Sequence, residues 1–182
     1  MLIGEIGVAF DYERKATPTG SSVPAYQTGD FGKQTLAVES SVQALEANLL
    51  SFTWWNYTPQ NTNDRGDLWN MEDLSIFSND QRRSPLFFPE PTSIHAGGRA
   101  LPAIVRPYAR KVCGIPLRAK FAPFSDDRRF ELEFDSAAFD QQQQQQQQHV
   151  ATEVFLPHFQ YPRLLSPGAP SSLAVSVTVR CA

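Results

Sequence analysis

The apolar residues of this chain change their spacing part-way along, and that change bounds the fold. Before Ile115 one long segment is periodic, about Lys33 to Asn48. There Val38, Val42, Leu45 and Leu49 recur at spacings of 4, 3 and 4, which is one face of an α-helix. Apolar stretches flank it: Met1-Leu2-Ile3-Gly4-Glu5, read as the end of a buried strand, and Leu50 to Tyr57. The order strand, loop, helix, strand is a βαβ unit and implies parallel neighbours. After Ile115 the period becomes two. Leu117–Phe121, Arg129–Phe134, Ala151–Leu156 and Ser172–Val179 alternate apolar with polar residues, which marks half-buried strands. No helical pattern lies between them, so they are expected to form a small antiparallel sandwich.

The chain therefore divides in two, residues 1–114 and residues 115–182, and its 182 residues suffice for that. In the first part a loop rich in Pro, Gly, Ser and Thr covers Thr17 to Gly29, and a longer one runs from Tyr57 to about Pro91. The longer loop carries Trp69, Leu74, Ile76, Phe77, Phe87 and Phe88. A loop of that length is usually functional or disordered, and its aromatic content favours function. A helix is expected from Thr92 through Arg99, Leu101, Ile104 and Val105. In the second part Gln141–Gln148 is a homopolymer between two strands, expected as an exposed loop because such a tract packs no core.

Several functions are disfavoured at once. The net charge is −3, from 16 basic and 19 acidic residues, and no basic stripe is present, so nucleic acid is not an expected partner. Cys113 and Cys181 lie far apart with no CxxC, which gives neither a disulfide framework nor a zinc site. A reducing compartment fits them best, and an intracellular setting, cytoplasm or vacuole, is the expectation. His95, His149 and His158 are scattered without a serine motif or HExxH, so no metal and no cofactor is expected. No apolar run approaches the roughly 18 residues of a membrane span, which leaves peripheral membrane contact open. Glu5 and Asp11 interrupt the N-terminal apolar stretch, unlike a signal peptide. Asn56-Tyr57-Thr58 matches a glycosylation sequon by chance.

Two places could carry chemistry. Glu5 ends an apolar strand between Gly4 and Gly7. A buried carboxylate is costly without partners, and the glycines admit a ligand or another backbone. Trp54, Trp55 and Tyr57 stand where the next strand runs out. They are either core aromatics or a flat platform for a sugar ring. A carboxylate beside such a platform suits sugar hydrolysis, in which the carboxylate attacks the anomeric carbon. The plainer alternative is a glutamate paired with an arginine. The loop Asn61 to Asp73 mixes Asp, Asn and Trp, which hydrogen-bond hydroxyls and stack on sugars, but Asp and Asn also simply make turns.

LIGEIGVAFD, then ALEANLLSFTWWNYTPQNTNDRGDLWNMEDLSIFS, then GGRALPAIVRPYARKVCGIP together resemble the C-terminal part of a fungal group in glycoside hydrolase family 5. That group includes endoglycoceramidase-related β-glucosidases acting on glucosylceramide and steryl glucosides. The resemblance covers Leu2 to about Phe134. It implies the last strands and helices of a (β/α)8 barrel followed by a C-terminal antiparallel β-sandwich. It implies retaining hydrolysis of O-glycosidic bonds in glucosylated lipids, with a glycolipid or other β-glucoside as substrate. The family's nucleophile, the glutamate closing the seventh strand, matches Glu5. Its sugar-floor tryptophan, in a W-N-Y context, matches Trp55 with Asn56 and Tyr57, and Trp54 falls to packing. Asp67, Trp69, Glu72 and Asp73 match the loop bordering the site. The family's acid/base glutamate has no counterpart in these residues, so the chain is expected to be a truncated piece, inactive alone. The rival is a non-catalytic β-sandwich module with a barrel remnant that binds glycans, lipids or a protein.

Overall fold

The computed structural model describes residues 1–12, 24–69, 72–83, 93–136, 151–162 and 175–180, the last as backbone. The Gln141–Gln148 tract lies outside them. The chain forms two compact units: Met1–Ser41 with Ser51–Ile104, and Val42–Leu50 with Val105–Ala182.

In the first unit, strand β1 (Leu2–Ile6) pairs in parallel with β2 (Ser51–Trp54), in the register Leu2 to Ser51, Ile3 to Phe52 and Ile6 to Trp54. The expected βαβ order is present. Helix α1 (Pro24–Thr28) is short, and α2 (Gly32–Ala47) is the long crossover helix. Asp30 Oδ1 accepts the Gly32 amide at 2.8 Å, which satisfies one of the orphan donors at the start of α2. Of the expected apolar face, Val38 and Val42 are buried and Leu45 is half-buried, but Leu49 is exposed beyond the end of α2. The helix closes in a Schellman arrangement: the Leu50 amide donates to the Leu45 carbonyl at 3.0 Å and the Leu49 amide to that of Glu46 at 3.0 Å. Leu49, with φ of 51°, sits at the left-handed position that usually takes glycine.

Four expectations change here. The loop expected over Thr17 to Gly29 holds helix α1. β1 is not buried: Leu2, Gly4 and Glu5 are exposed. A strand with a single paired edge leaves much of its surface uncovered. The helix expected over 92–105 shrinks to one turn, α4 (Leu101–Ile104). Gly97 and Ala100 have φ of 87° and 52°, outside the helical basin. The backbone there bonds across the loop instead, Arg99 N to Ile76 O at 2.8 Å and Ser78 N to Gly97 O at 2.9 Å. The long loop also contains a short helix the sequence did not suggest, α3 (Asn79–Arg83).

In the second unit, β3 (Tyr108–Lys111) and β6 (Glu153–Phe155) form an antiparallel pair. β4 (Ile115–Phe121), β5 (Phe130–Asp135) and β7 (Val175–Arg180) form a second sheet in the order β4-β5-β7. β4 and β5 are antiparallel as expected, but β7 runs parallel to β5. The expectation of a wholly antiparallel arrangement is corrected there. Parallel neighbours need a long connection, and the segment from Asp135 to Val175 is long enough to include β6. Alternation in β5 buries Phe130, Leu132 and Phe134, which gather with Phe121 and Tyr161. Ala109 of β3 and Val154 of β6 pack on that cluster, so both sheets contribute to one core.

Candidate active site

β1 and β2 are parallel, so the residues at their ends leave the sheet on the same side. Glu5 is the penultimate residue of β1, and Trp55 follows β2 directly. The two exits are in backbone contact: the Trp55 amide donates to the Ile6 carbonyl at 2.8 Å. Gly7 makes this approach feasible, because a β-carbon there would lie 2.1 Å from the Trp55 carbonyl oxygen. The Trp55–Asn56 peptide is cis. Glu5 is exposed.

Trp55 is half-buried and meets the exposed Trp69 edge to face, with ring centroids 5.6 Å apart and planes at 70°. Tyr57 is exposed and tilted against Phe77 at 5.6 Å. Trp54 turns to Phe52, 5.5 Å away and nearly perpendicular, in keeping with a packing role. The structure thus brings Trp55 and Trp69 together and leaves Tyr57 on a separate contact.

The acidic residues of the loop divide by burial. Asp67 is buried and fully engaged: Oδ2 accepts from Asn56 Nδ2 at 2.9 Å and the Leu74 amide at 3.0 Å, and Oδ1 from the Trp69 amide at 2.8 Å. Glu72 is half-buried and bridges to Trp69 through its backbone at 2.9 Å. Asp73 is buried at the centre of a polar network. It takes hydrogen bonds from Arg99 Nη1 at 2.6 Å, from Asn61 Nδ2 at 2.7 Å and from the Tyr26 hydroxyl. Burial, and then the charge and hydrogen bond of Asp73, push the Tyr26 hydroxyl far up, against the lowering pull of Arg99.

Sequence reasoning missed this network. The sequence places Arg99 only within an expected helix, yet it is among the largest fully buried side chains. Phe10, Tyr26 and Phe31 surround its guanidinium at 5.2, 5.3 and 5.3 Å. The available signal was a lone arginine after Gly97-Gly98, far in sequence from an acid able to pair with it. Among the described residues no group of three or more His, Cys, Asp or Glu could hold a metal ion. No described helix is long and apolar enough to cross a membrane.

Residues 106–167 match the glycoside hydrolase family 5 C-terminal domain. The chain is related to the C-terminal part of family 5 glycoside hydrolases. A glucosylceramidase of Rhizopus delemar is 31% identical over 170 residues, which cover 88% of this chain and 22% of that protein. An ergosteryl-beta-glucosidase of Saccharomyces cerevisiae is 41% identical over 83 residues, 46% of this chain and 10% of that protein. The crystal structure of Cryptococcus neoformans sterylglucosidase 1 with tris superimposes with a TM-score of 0.53 at 33% identity, covering 71% of this chain and 17% of that one. The chain thus spans about a fifth of the length of the glucosylceramidases of Rhizopus delemar and Cryptococcus neoformans that it matches.

Proposed function

We propose that these residues supply half of the active site of a retaining β-glucosidase acting on glucosylated lipids. Glu5 is the nucleophile, and Trp55 is the platform for the glucose ring. One observation carries the reading. β1 and β2 pair in parallel, and their exits are bonded at Trp55 N and Ile6 O. A carboxylate and an indole therefore leave the same end of the sheet, where barrels of alternating strands and helices hold their catalytic groups. The names glucosylceramidase and ergosteryl-beta-glucosidase of two relatives support that substrate class.

In this scheme Glu5 attacks the anomeric carbon as the glycosidic bond breaks, and a covalent glucosyl-enzyme forms. An acid elsewhere protonates the leaving oxygen, then serves as base while water releases the sugar. Retention requires the two carboxyl groups roughly 5 Å apart. Trp55 and Trp69 offer apolar faces to the ring, with Tyr57 and Glu72 on the border. Asn56, Asp67 and Asp73 serve by holding that wall in place. The architecture we assign is the closing strands and helices of a (β/α)8 barrel, followed by a C-terminal sandwich built on the β3–β6 and β4–β5–β7 sheets.

Mass spectrometry after reaction with a 2-deoxy-2-fluoro glucoside tests the assignment. In a longer protein that carries these residues with an acid/base carboxyl, the label is expected on the peptide containing Glu5, and Glu5→Gln should abolish turnover while sparing substrate binding. A label on another peptide would overturn the assignment. The 182-residue chain by itself should turn over no aryl β-glucoside, for want of the acid/base carboxyl. Turnover by that chain would show that it is catalytically sufficient. A chain that binds glycans while such a longer protein never labels would point to a non-catalytic module.

A further inference from the structure

We propose that Arg99 is a positioning residue for the Trp55–Trp69 ring pair and acts through Asp73. The proposal rests on the reading that this pair receives the sugar. An arginine taken out of water is costly unless its charge is paired and its donors are satisfied. Here Nη1 reaches Asp73 Oδ2 at 2.6 Å and Ser75 O at 3.3 Å. Nε reaches Gln81 Oε1 at 3.0 Å, and Nη2 reaches Asn63 Oδ1 at 2.8 Å. The three aromatic rings enclose the same group. A planar fork with this many partners has one orientation, which the flexible ammonium of a lysine would not reproduce.

What Arg99 holds is the junction of both strand exits. The Asp73 carbonyl accepts the Phe10 amide at 2.6 Å, and the Asp73 amide donates to Asp11 Oδ1 at 3.2 Å, which ties down the chain leaving β1. The next residue ties down the chain leaving β2, since the Leu74 carbonyl accepts the Asn56 amide at 3.1 Å. The Leu74 amide donates to Asp67 Oδ2, the atom that also receives Asn56 Nδ2. Asp67 Oδ1 in turn fixes the Trp69 amide. The backbone beside each indole is therefore one or two hydrogen bonds from the Arg99–Asp73 pair. A displaced Asp73 would carry Leu74 with it and change the angle between the two rings.

Two indoles with centroids 5.6 Å apart couple their electronic transitions and give a paired band in far-ultraviolet circular dichroism. In a protein that carries these residues with an acid/base carboxyl, the difference spectrum between wild type and Trp69→Phe isolates that band. Arg99→Lys keeps the charge and loses the fork. It is expected to lose at least half of the band well below its melting temperature, and to raise KM for an aryl β-glucoside about tenfold with a smaller change in kcat. Tyr26→Phe deletes only one donor to Asp73 and should shift both readouts in the same direction by less, which keeps the test usable if Arg99→Lys does not fold. A wild-type band and KM in the folded variants would overturn the proposal. A lost band with KM unchanged, in Trp69→Phe as well, would support the positioning role and remove the ring pair from sugar binding.

Discussion

Gly7 and Trp55 belong to different strand exits, yet a β-carbon on Gly7 would stand 2.1 Å from the Trp55 carbonyl oxygen and 3.3 Å from Leu74 Cδ2. The nearest obstacle is backbone, which cannot rotate away as a side chain can. Gly7→Ala must therefore separate the two exits and stretch the hydrogen bond from Trp55 N to Ile6 O. Overpacking costs about 1–3 kcal/mol and occasionally more, and the upper end applies here. Urea unfolding should show a lower midpoint with an unchanged slope. A wild-type midpoint would mean that the exits are not in contact in solution.

A second expectation separates ion pairs by burial. Arg106 grips Glu46 with two bonds of 2.7 Å, lies over the Phe121 ring at 5.0 Å, and is largely withdrawn from water. Arg129 and Asp127 form a pair open to solvent. Removing one partner of a well-buried pair costs about 3–5 kcal/mol because the other charge is stranded. Glu46 keeps some exposure, so Glu46→Ala should cost about 2–3 kcal/mol by the same argument. Asp127→Asn should leave the midpoint where it is, since exposed pairs contribute little. The comparison is read from two urea curves, and equal losses would refute it.

How much of this was legible follows from the range of the interactions. The α2 face and the β5 alternation are local patterns, and the burial of Val38, Val42, Phe130, Leu132 and Phe134 follows them. The parallel pairing of β1 with β2 followed from the strand–helix–strand order. β3 was not visible because Tyr108-Ala-Arg-Lys111 is short and half charged, with little alternation to read. The direction of β7 depends on a long connection, which local pattern does not encode. The Arg99–Asp73 pair spans 26 residues of sequence, and its aromatic enclosure draws on three further segments. That Glu5 and Trp55 stand at strand ends could be read because strand-end position is itself a local property. The work done by Asp67 and Asp73 within the loop could not.

Leu49 tests the close of α2. A left-handed backbone costs a non-glycine residue about 1–2 kcal/mol, and Leu49 adopts one with φ of 51° while exposed. Leu49→Gly relieves that strain but frees the unfolded chain, which takes back part of the gain. The net expectation is a stabilisation of about 0.5–1 kcal/mol, seen as a higher melting temperature. A lower one would show that the Leu49 side chain contributes more than its backbone strain costs.

The last expectation concerns alkaline pH. The Tyr161 hydroxyl donates to the Arg128 carbonyl at 2.8 Å beside the second-unit core. Burial pushes its pKa up to about 12; the nearby Arg128 charge pulls it down and Asp127 adds to the rise. In the unfolded chain a tyrosine ionises near 10. Between those values the folded protein keeps a proton that the unfolded chain has released, so stability falls as pH rises. The contribution is whole below about 10 and is lost as pH climbs through about 12. Tyr26 acts in the same direction, with a pKa also raised by burial first. Urea midpoints measured from pH 9 to pH 12 should therefore decline. Tyr161→Phe should begin lower, having lost the hydrogen bond, and decline less steeply, having lost the titrating group. Parallel declines in wild type and Tyr161→Phe would show that the hydroxyl is as free to ionise in the folded protein as in the unfolded chain.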